Sequence, residues 1–530
     1  MMRYDFLLDR DVPKGIGNRL FLLGVSEDGP YMEPLLIRTK EQARKVFGDE
    51  NKGTLVKAFD EAYDRKEDIS IYLMRITGNF ATLEVEGFPT DPLDRQHLFI
   101  LRSVYAGEKY NKLSIKLNND DKREIHSFTL KTLDHEFVYE IPYDMTVGAF
   151  VKGINEDCRM GRHKIMASTD YPQADIGFLA GMLSEDEEVR SFDDGDDGLH
   201  PTRNELYLAC DLAYQILQGR QVDIVVPVGM YVDDVHPAYL YGKAIYGSSY
   251  YSSSSDYLQL IDTQNGNKVV SFHEQLIEFC REQMRLGYMS KGVIGIRPFT
   301  HVPKNIEEDN TAYISRLAQS SAFRDRHGFT DYKNGLWYDK GYFVSVVGHE
   351  LIYHPGKPDE YTANGAVRYA AILAGNFDTT TNVEIGDDVE LRYELSNYTL
   401  QELSRIGVVT FRNSIRRGNV VTSGVTAGSP ESELHSVANV RMVQITLAYV
   451  NQAVEMIYEG EFDAGMRRNY LEELLRKFLD DLQKEGVILQ YDYKIQFRND
   501  DVKGEILLFL EGKHTIEGIQ TSAEVTQQEV

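Results

Sequence analysis

The chain has 530 residues, which at roughly 150 residues per domain predicts three or four domains. Because 42% of the residues are hydrophobic and 26% are charged, the composition excludes a chain that is disordered throughout. The formal net charge of -26 disfavours nucleic acid and anionic membranes as main partners. We interpret this charge first as a solubility feature and second as a feature that tunes subunit contacts.

The cysteine spacing argues against a disulfide-stabilised or zinc-binding protein, and the lack of long apolar runs argues against a membrane protein. Cys158, Cys210 and Cys280 lie far apart and form no CxxC pair, so neither a disulfide framework nor a zinc site is expected. The N-terminus lacks a basic segment followed by a long apolar one, and no window holds about 18 uninterrupted apolar residues. We therefore expect a protein that is made and folded in a cytosol, with no membrane partner.

The first part of the sequence predicts an arm followed by a β-α-β unit. Residues 1–19 are polar, broken by proline and glycine, and too short to bury a core, which is typical of an N-terminal arm. We predict an apolar strand over 20–25, a helical stretch over 40–63 and a half-buried strand over 71–76. An α/β middle domain is therefore expected to start over residues 20–79.

A change of texture predicts a β-rich insertion over residues 80–199. Short alternating strands appear there, such as KLSIKL at 112–117 and EFVYEIP at 136–142, separated by Asn, Asp and Gly. The acidic run SFDDGDDG at 191–198 marks the far end of the insertion. We interpret this run as a solvated loop.

Two helix-then-strand units follow and predict that the α/β middle domain continues over 200–399. Residues 206–217 have helical spacing and lead into VDIVVPV at 222–228, whose unbroken apolar run fits a strand buried on both faces. A helix predicted over 272–284 leads into GVIGIRP at 292–298 in the same way. Such repeats indicate one α/β sheet.

The C-terminal part reads as an α+β domain over 400–503, followed by a linking strand over 504–530. Apolar stripes predict two amphipathic helices, over 440–457 and 470–484, and the strand YKIQF follows at 493–497. The predicted fold class is thus a multidomain α/β and α+β protein with extended N- and C-terminal arms.

A search for chemistry finds no candidate catalytic residue. The sequence has no Walker A motif, no GxGxxG between a strand and a helix, and no GxSxG elbow. In GHELIYHP, His349 and His354 are five residues apart and would lie about 140° apart on a helix, so the zinc-peptidase geometry fails and a structural role is expected for both, and for Glu350. The acidic cluster at 193–197 lacks two EF-hand ligands, although weak calcium binding stays open. No cofactor is predicted.

The tract YGSSYYSSSSDY at 246–257 has no periodicity. Its composition favours an exposed loop over a loop that recognises glycans or proteins.

Five stretches carry a family resemblance when taken in their order along the chain. They are FGDENKGTLVKAFDEAYDRKEDISIYLMRITG at 47–78, LFILRSVYAGEKYNKLSIKL at 98–117, the pair VDIVVPV and GVIGIRP, ANGAVRYAAILAGNFDTTTNVEI at 363–385, and LQELSRIGVVTFRNSIRRGNVVTSGVTAG at 400–428. Together they resemble the tail sheath family of contractile phages. The resemblance implies an inner domain built from the C-terminal part, outer insertions, and a homo-oligomeric helical stack of rings around a tail tube.

The resemblance also implies partners and a location. The expected partners are further copies of the chain, the tail tube protein, and the baseplate and tail terminator proteins. The expected location is the tail of a virion that is assembled in the host cytoplasm. Such a subunit is structural and has no enzymatic activity.

The two chain ends gain a role from the resemblance, because sheath subunits lend terminal strands to their neighbours by β-augmentation. The run ILLFL at 506–510 is apolar on both faces of a strand, so we expect a neighbouring subunit to cover it. The candidate arm residues are Tyr4, Phe6, Leu7 and Leu8 at the N-terminus and Ile506, Leu508, Leu510, Ile516 and Ile519 at the C-terminus. The candidate receiving strand contains Tyr493, Ile495 and Phe497.

Contact with the tube is expected from the inner domain, where basic residues are concentrated in an otherwise acidic chain. Pairing with the tube or with another subunit and simple solvation are equally favoured for them. These residues are Arg405, Arg412, Arg416, Arg417, Arg467 and Arg468.

Three alternatives remain open at the level of the sequence. The same class includes the sheath of a contractile injection or bacteriocin particle. The other two are a tail-associated hydrolase that uses Glu350 or the acidic cluster, and a surface protein that binds glycans through the Ser and Tyr tract.

Overall fold

The structure is a computed structural model that describes most of the chain. The described residues are 17–63, 69–87, 96–119, 125–142, 144–174, 176, 189–232, 261–262, 268–269, 272–296, 330–333, 336–376, 380–458, 464–484, 486, 488–497 and 504–511.

Helices and strands alternate through the described part of the chain. The helices there are α1 Lys40–Phe47, α2 Leu55–Tyr63, α3 Val147–Arg159, α4 Arg203–Leu217, α5 Phe272–Arg285, α6 Ala366–Gly375, α7 Asn397–Arg405, α8 Val437–Tyr458 and α9 Ala464–Lys484. The strands there are β1 Arg19–Gly24, β2 Leu35–Ile37, β3 Ser70–Arg75, β4 Phe80–Gly87, β5 Gln96–Ala106, β6 Ser114–Asn119, β7 Ile125–Lys131, β8 Glu136–Glu140, β9 Ile165–Ser168, β10 Val189–Ser191, β11 Ile224–Pro227, β12 Tyr231–Val232, β13 Ile261–Asp262, β14 Lys268–Val269, β15 Lys291–Ile296, β16 Thr330–Lys333, β17 Leu336–Asp339, β18 Val344–Val347, β19 Glu350–Tyr353, β20 Tyr361–Asn364, β21 Val389–Leu391, β22 Val408–Val409, β23 Phe411–Ser414, β24 Gly418–Val421, β25 Gln490–Phe497 and β26 Gly504–Glu511.

The largest sheet has eight strands in the order β2, β3, β1, β11, β15, β18 and β22, with β12 paired beside β15. All of its pairings are parallel except that of β2 with β3. Its inner strands are unbroken apolar runs because helices cover both faces. Every residue of β11 and of β15 is buried, which fits this position.

Helices lie on both faces of this sheet and form a three-layer α/β arrangement. Residues of α1, α2 and α6 share one apolar core with one face. Residues of α4, α5 and α7 share a second core with the opposite face. The mixed α/β character predicted from the sequence is confirmed.

Between β3 and α4 the chain forms a β-rich unit with its own apolar core. Strands β4, β5 and β9 make one antiparallel sheet, and β10, β6, β7 and β8 make another. Helix α3 packs with them, and the rings of Phe99, Phe128 and Phe150 meet at the centre of this core.

Most elements predicted from apolar periodicity are confirmed, but one is wrong. The predicted helical stretch over 40–63 is two helices, α1 and α2. Gly48 and Gly53 lie between them with φ of 89° and 90°, in the left-handed region that glycine tolerates best. Gly48 caps α1, because its N–H donates to the carbonyl of Arg44.

The C-terminal residues form a smaller unit. Helices α8 and α9 pack against the antiparallel pair of β25 and β26. Among the described residues, no helix is both long and apolar enough to cross a membrane.

Candidate subunit-contact site

The hairpin of β25 and β26 packs one face onto its own chain. The described side chains on that face contact two small apolar cores supplied by α8 and α9. The hairpin residues in these contacts are Tyr491, Tyr493, Ile495, Ile506, Leu508 and Leu510, and the helix residues include Met442, Ile445, Tyr449, Val450, Leu471, Leu474, Leu475, Leu479 and Leu482.

One face of the apolar run at 506–510 is therefore buried against α8 and α9 of the same chain. The expectation that a neighbouring subunit covers this face is wrong. In the pairing register Ile506 lies opposite Ile495 and Leu508 lies opposite Tyr493. The predicted receiving strand and the predicted linking strand are thus paired within a single chain, from Gly504 through Glu511. The sequence reasoning failed here because it did not predict that α8 and α9 would present an apolar face to the strand.

The other face and the edges of the hairpin remain accessible in the described part of the chain. Phe509 points to this outer face and is 61% exposed. Within the described residues β25 and β26 pair only with each other, so each strand has one unpaired edge. Such edges are templates for an additional strand. The arm residues Ile516 and Ile519 lie outside the described residues.

The N-terminal arm enters the fold at a buried polar junction. Arg441 of α8 is fully buried and donates to the carbonyl of Gly17. The backbone N–H of Arg19 donates to the Asp223 carboxylate at 3.0 Å, and the side chain of Gln444 donates to the Asp223 carbonyl at 2.6 Å. The first described residues are therefore fixed to the start of β11 and to α8. The arm residues Tyr4, Phe6, Leu7 and Leu8 lie outside the described residues.

Burial dominates the electrostatics of this junction. It lowers the pKa of Arg441 to about 10, and it raises the pKa of Asp223 although Arg19 and Arg441 act in the opposite direction. A charge here would be costly if its partner were lost. The sequence contained one signal for the junction, which the periodicity analysis missed: Arg441 and Gln444 interrupt the apolar run of α8.

Three of the six predicted arginines lie together on the hairpin of β23 and β24. Arg412 donates to the Asn382 side chain at 2.7 Å, and Arg417 donates to the Asn382 carbonyl at 3.2 Å. At the turn, Ile415 is fully exposed beside the exposed Arg416. The turn therefore presents an exposed apolar residue that is followed by two arginines.

The other three arginines lie elsewhere. Arg405 ends α7 and donates to Glu402 at 2.9 Å, which is an exposed pair within one helix. Arg467 and Arg468 lie near the start of α9. The six arginines are therefore distributed over the β23–β24 hairpin, α7 and α9.

His349, Glu350 and His354 lie in or directly beside the strands β18 and β19. His349 lies just after β18 and is fully buried. Glu350 lies in β19 and pairs with Arg392 at 2.9 Å, and His354 follows the same strand. Among the described residues, no group of three His, Cys, Asp or Glu side chains is arranged to hold a metal ion.

The acidic run at 191–198 is more than a solvated loop, which corrects that interpretation. Its backbone forms β-bridges to Asn79 and Thr82 at the start of the β-rich unit. The carbonyl of Asp197 also accepts a bond of 2.8 Å from the fully buried Arg75. The charged side chains of this segment suggested a solvent-exposed loop. Its backbone groups, however, connect the β-rich unit to the main sheet.

The fold resembles that of solved sheath proteins. No family model matches the chain, and no curated protein matches its sequence. The sheath tail protein of Listeria innocua superposes with a TM-score of 0.51 at 13% identity, over 94% of this chain and 92% of that chain. The chain therefore has the fold of a sheath tail protein, and the resemblance predicted from the sequence is confirmed at the level of the fold.

Two further solved structures are more distant. The sheath tail protein of Desulfitobacterium hafniense gives a TM-score of 0.44 at 11% identity, over 95% of this chain and 99% of that chain. The contracted sheath of an extracellular contractile injection system gives 0.35 at 12% identity, over 47% and 68%. The fold assignment rests on the Listeria protein alone.

Proposed function

We propose that the chain is a structural subunit of a contractile phage tail sheath, which polymerises helically around a tail tube and contracts to drive the tube through the host envelope. Support comes from the sheath fold, which extends over nearly the whole chain. The subunit acts through contacts with other proteins rather than through catalysis. Its place is in the tail of an assembled particle.

The observation that carries this proposal is the two-stranded sheet of β25 and β26 with its unpaired edges. Residues 512–530 continue directly from β26, and residues 1–16 precede the junction at Gly17. Either segment is long enough to add a strand to the hairpin of a neighbour by β-augmentation. Such contacts are head-to-tail, so their repetition generates an open helical lattice rather than a closed dimer.

The same arrangement accounts for contraction. The three-layer core and the β-rich unit, which Arg75 joins through buried hydrogen bonds, move together as one rigid body. The exchanged segments hold neighbouring subunits together while the lattice rearranges. The extended lattice is kinetically held and releases assembly free energy when triggered at the baseplate. The turn at Ile415, Arg416 and Arg417 is the best-exposed candidate for contact with the tube or with another subunit. The tail terminator closes the other end.

Truncation of the exchanged segments tests the proposal. The deletions must spare Gly17 and Glu511, because these residues belong to the junction and to the hairpin. We expect proteins that lack 1–16 or 512–530 to keep the circular dichroism spectrum and melting temperature of the full chain. We expect neither to form the long tubes that electron microscopy should show for the full chain.

A matched variant separates strand contacts from chain length. In it, Tyr4, Phe6, Leu7 and Leu8 are replaced by serine while the arm keeps its length. This variant should also fail to form tubes, because the apolar side chains would anchor an added strand. If either truncated protein assembles normally, the strand-exchange proposal is wrong. A full chain that stays monomeric at high concentration would contradict the sheath function itself.

A further inference from the structure

A cavity of about 210 Å³ lies at the carboxyl ends of the central parallel strands. The chain runs from β1 to β3 on one side and from β11 to β15 on the other, so the strand order reverses between β1 and β11. Crevices at such a reversal are the usual ligand sites of open α/β sheets. The cavity is bounded by α2, by the segment after β11, and by the turn from β20 into α6.

Glu61 of α2 lines this cavity and has no partner among the described residues. Its side chain is 5% exposed, yet it makes no hydrogen bond or ion pair with any of them. Burial raises the pKa of Glu61 to about 8, against the opposing effect of Arg368. An unpaired buried carboxyl group is costly and is seldom retained without a use.

A second buried polar group lies on the same wall. The hydroxyl of Tyr361 has no hydrogen-bond partner in the described part of the chain. The Tyr361 ring is fixed by stacking on Tyr353 at a centroid distance of 5.1 Å. The hydroxyl is therefore held in place and is available to a ligand.

Lys57 is the only cation among the lining residues, and Glu61 is the only acid. They are one helical turn apart on α2 but do not form an ion pair with each other. Instead, the Lys57 ammonium group lies 5.4 Å from the centroid of the Tyr361 ring. The cavity wall therefore presents one ammonium group and one buried carboxyl group.

We propose that this cavity binds a small zwitterion of the amino-acid type, with its ammonium group at Glu61 and its carboxylate at Lys57. The Tyr361 hydroxyl supplies a further hydrogen bond. The apolar part of the ligand packs along Val226, Val228 and Val367, which line the same cavity. A simple amine would face repulsion from Lys57, and a simple acid would face the carboxyl group of Glu61, so a molecule that carries both charges fits best.

Titration calorimetry on the full chain tests the proposal with three matched probes. They are leucine, the amine that lacks its carboxylate (3-methylbutylamine), and the acid that lacks its amine (4-methylpentanoate). Glycine serves as a fourth, smaller probe. We expect leucine to bind about tenfold or more tightly than either single-charge analogue, since each charged hydrogen bond contributes at least this factor.

Substitutions of Glu61 and Lys57 test which residue binds the ammonium group of the ligand and which binds its carboxylate. Glu61→Gln should weaken leucine binding about tenfold and leave the acid unaffected, whereas Lys57→Gln should weaken leucine and leave the amine unaffected or improved. Asp60→Asn is the control, because Asp60 neighbours Glu61 on α2 but faces Lys40 and Arg44 at 3.7 Å. Its affinity for leucine should equal that of the unaltered chain.

Three outcomes would overturn the inference. The first is no saturable binding of leucine or glycine, the second is equal binding of all probes, and the third is a Glu61→Gln variant that binds leucine normally. Circular dichroism of each variant shows whether it is folded, and Glu61→Gln should fold because the amide is isosteric with the neutral acid. The result is independent of whether the chain forms tubes.

Discussion

His349 is held in one neutral form by two backbone groups. The Phe411 N–H donates to its Nδ1 at 3.4 Å, so that nitrogen must carry a lone pair. Its Nε2 lies 2.9 Å from the carbonyl of Tyr393 and must therefore carry the proton. A second proton on Nδ1 would face the Phe411 N–H. Burial lowers the pKa of His349 to about 4, although the hydrogen bond to the Tyr393 carbonyl acts in the opposite direction.

This geometry predicts an acid-sensitive contribution to stability. The unfolded chain takes up a proton on this histidine near its ordinary pKa of 6.5, whereas the folded chain does not until about 4. The folded state therefore loses stability as pH falls between these values, by about 3 kcal/mol in total. We expect His349→Gln to flatten the pH dependence of the urea unfolding free energy over this interval, although its stability at neutral pH is lower.

An exposed histidine provides the comparison. His135 lies on the surface of the β-rich unit, and His135→Gln serves as the matched control for the removal of one histidine. If the His349 variant keeps the full acid-induced loss of stability, the loss arises from other groups, and the neutral tautomer does not control it.

At the scale of the element, β26 has two faces with different roles. Leu508 packs inward on α8 and α9, and the neighbouring Phe509 points outward. Successive residues of a strand point to opposite faces. One substitution on the inner face therefore tests folding, and one on the outer face tests assembly.

We expect Leu508→Ser to destabilise the C-terminal unit by about 2 kcal/mol, since it removes the apolar contacts of a half-buried side chain with α8 and α9. Phe509→Ser should leave the unfolding free energy almost unchanged and should shorten or abolish tubes, because it removes an exposed apolar group from the outer face. Urea unfolding and electron microscopy measure the two effects. Normal tubes from Phe509→Ser would exclude this face from the subunit contacts.

Elements with strong apolar periodicity were predictable from the sequence, and pairings between distant segments were not. The apolar runs of β11 and β15 and the apolar stripes of α8 and α9 can each be recognised from a short stretch of sequence. The central position of β1, between β3 and β11, depends on a pairing across some 200 residues. The acidic segment at 191–198 was misinterpreted because its role depends on backbone groups.

The candidate sites show the same division. The arms were proposed from the resemblance, and local patterns could not show that Ile506 is covered by the chain itself. The cavity was missed, although one signal was present. Glu61 lies on the buried side of α2, among Ala58, Phe59 and Ala62, where an apolar residue is expected. A charged residue inside an apolar stripe is the pattern that identifies both this site and the junction at Arg441.

At the scale of the whole molecule, the three-layer core, the β-rich unit and the C-terminal hairpin are joined by buried polar contacts. Arg75 links β3 to the β-rich unit through the carbonyls of Ala106 and Asp197, both at 2.8 Å. Arg441 and Gln444 link α8 to the start of the sheet. These contacts allow a rigid subunit, and the proposed exchange of chain ends connects such subunits into a lattice.

The net charge opposes that lattice. Each subunit carries a formal charge of -26, so neighbours repel one another at low ionic strength. Added salt screens this repulsion over distances beyond about 10 Å at 0.1 M, whereas strands held by backbone hydrogen bonds and apolar contacts do not depend on charge. We therefore expect the sedimentable fraction of the full chain, and the length of its tubes, to increase as sodium chloride is raised.

The identity of the salt distinguishes screening from a general strengthening of apolar contacts. At equal ionic strength, chloride and sulfate should promote assembly equally if screening dominates, whereas sulfate should be far stronger if apolar burial dominates. A neutral osmolyte should have little effect in the first case. A sedimentable fraction that falls steadily with sodium chloride would contradict the prediction, and would indicate that ion pairs, such as those available to Arg416 and Arg417, hold the subunits together.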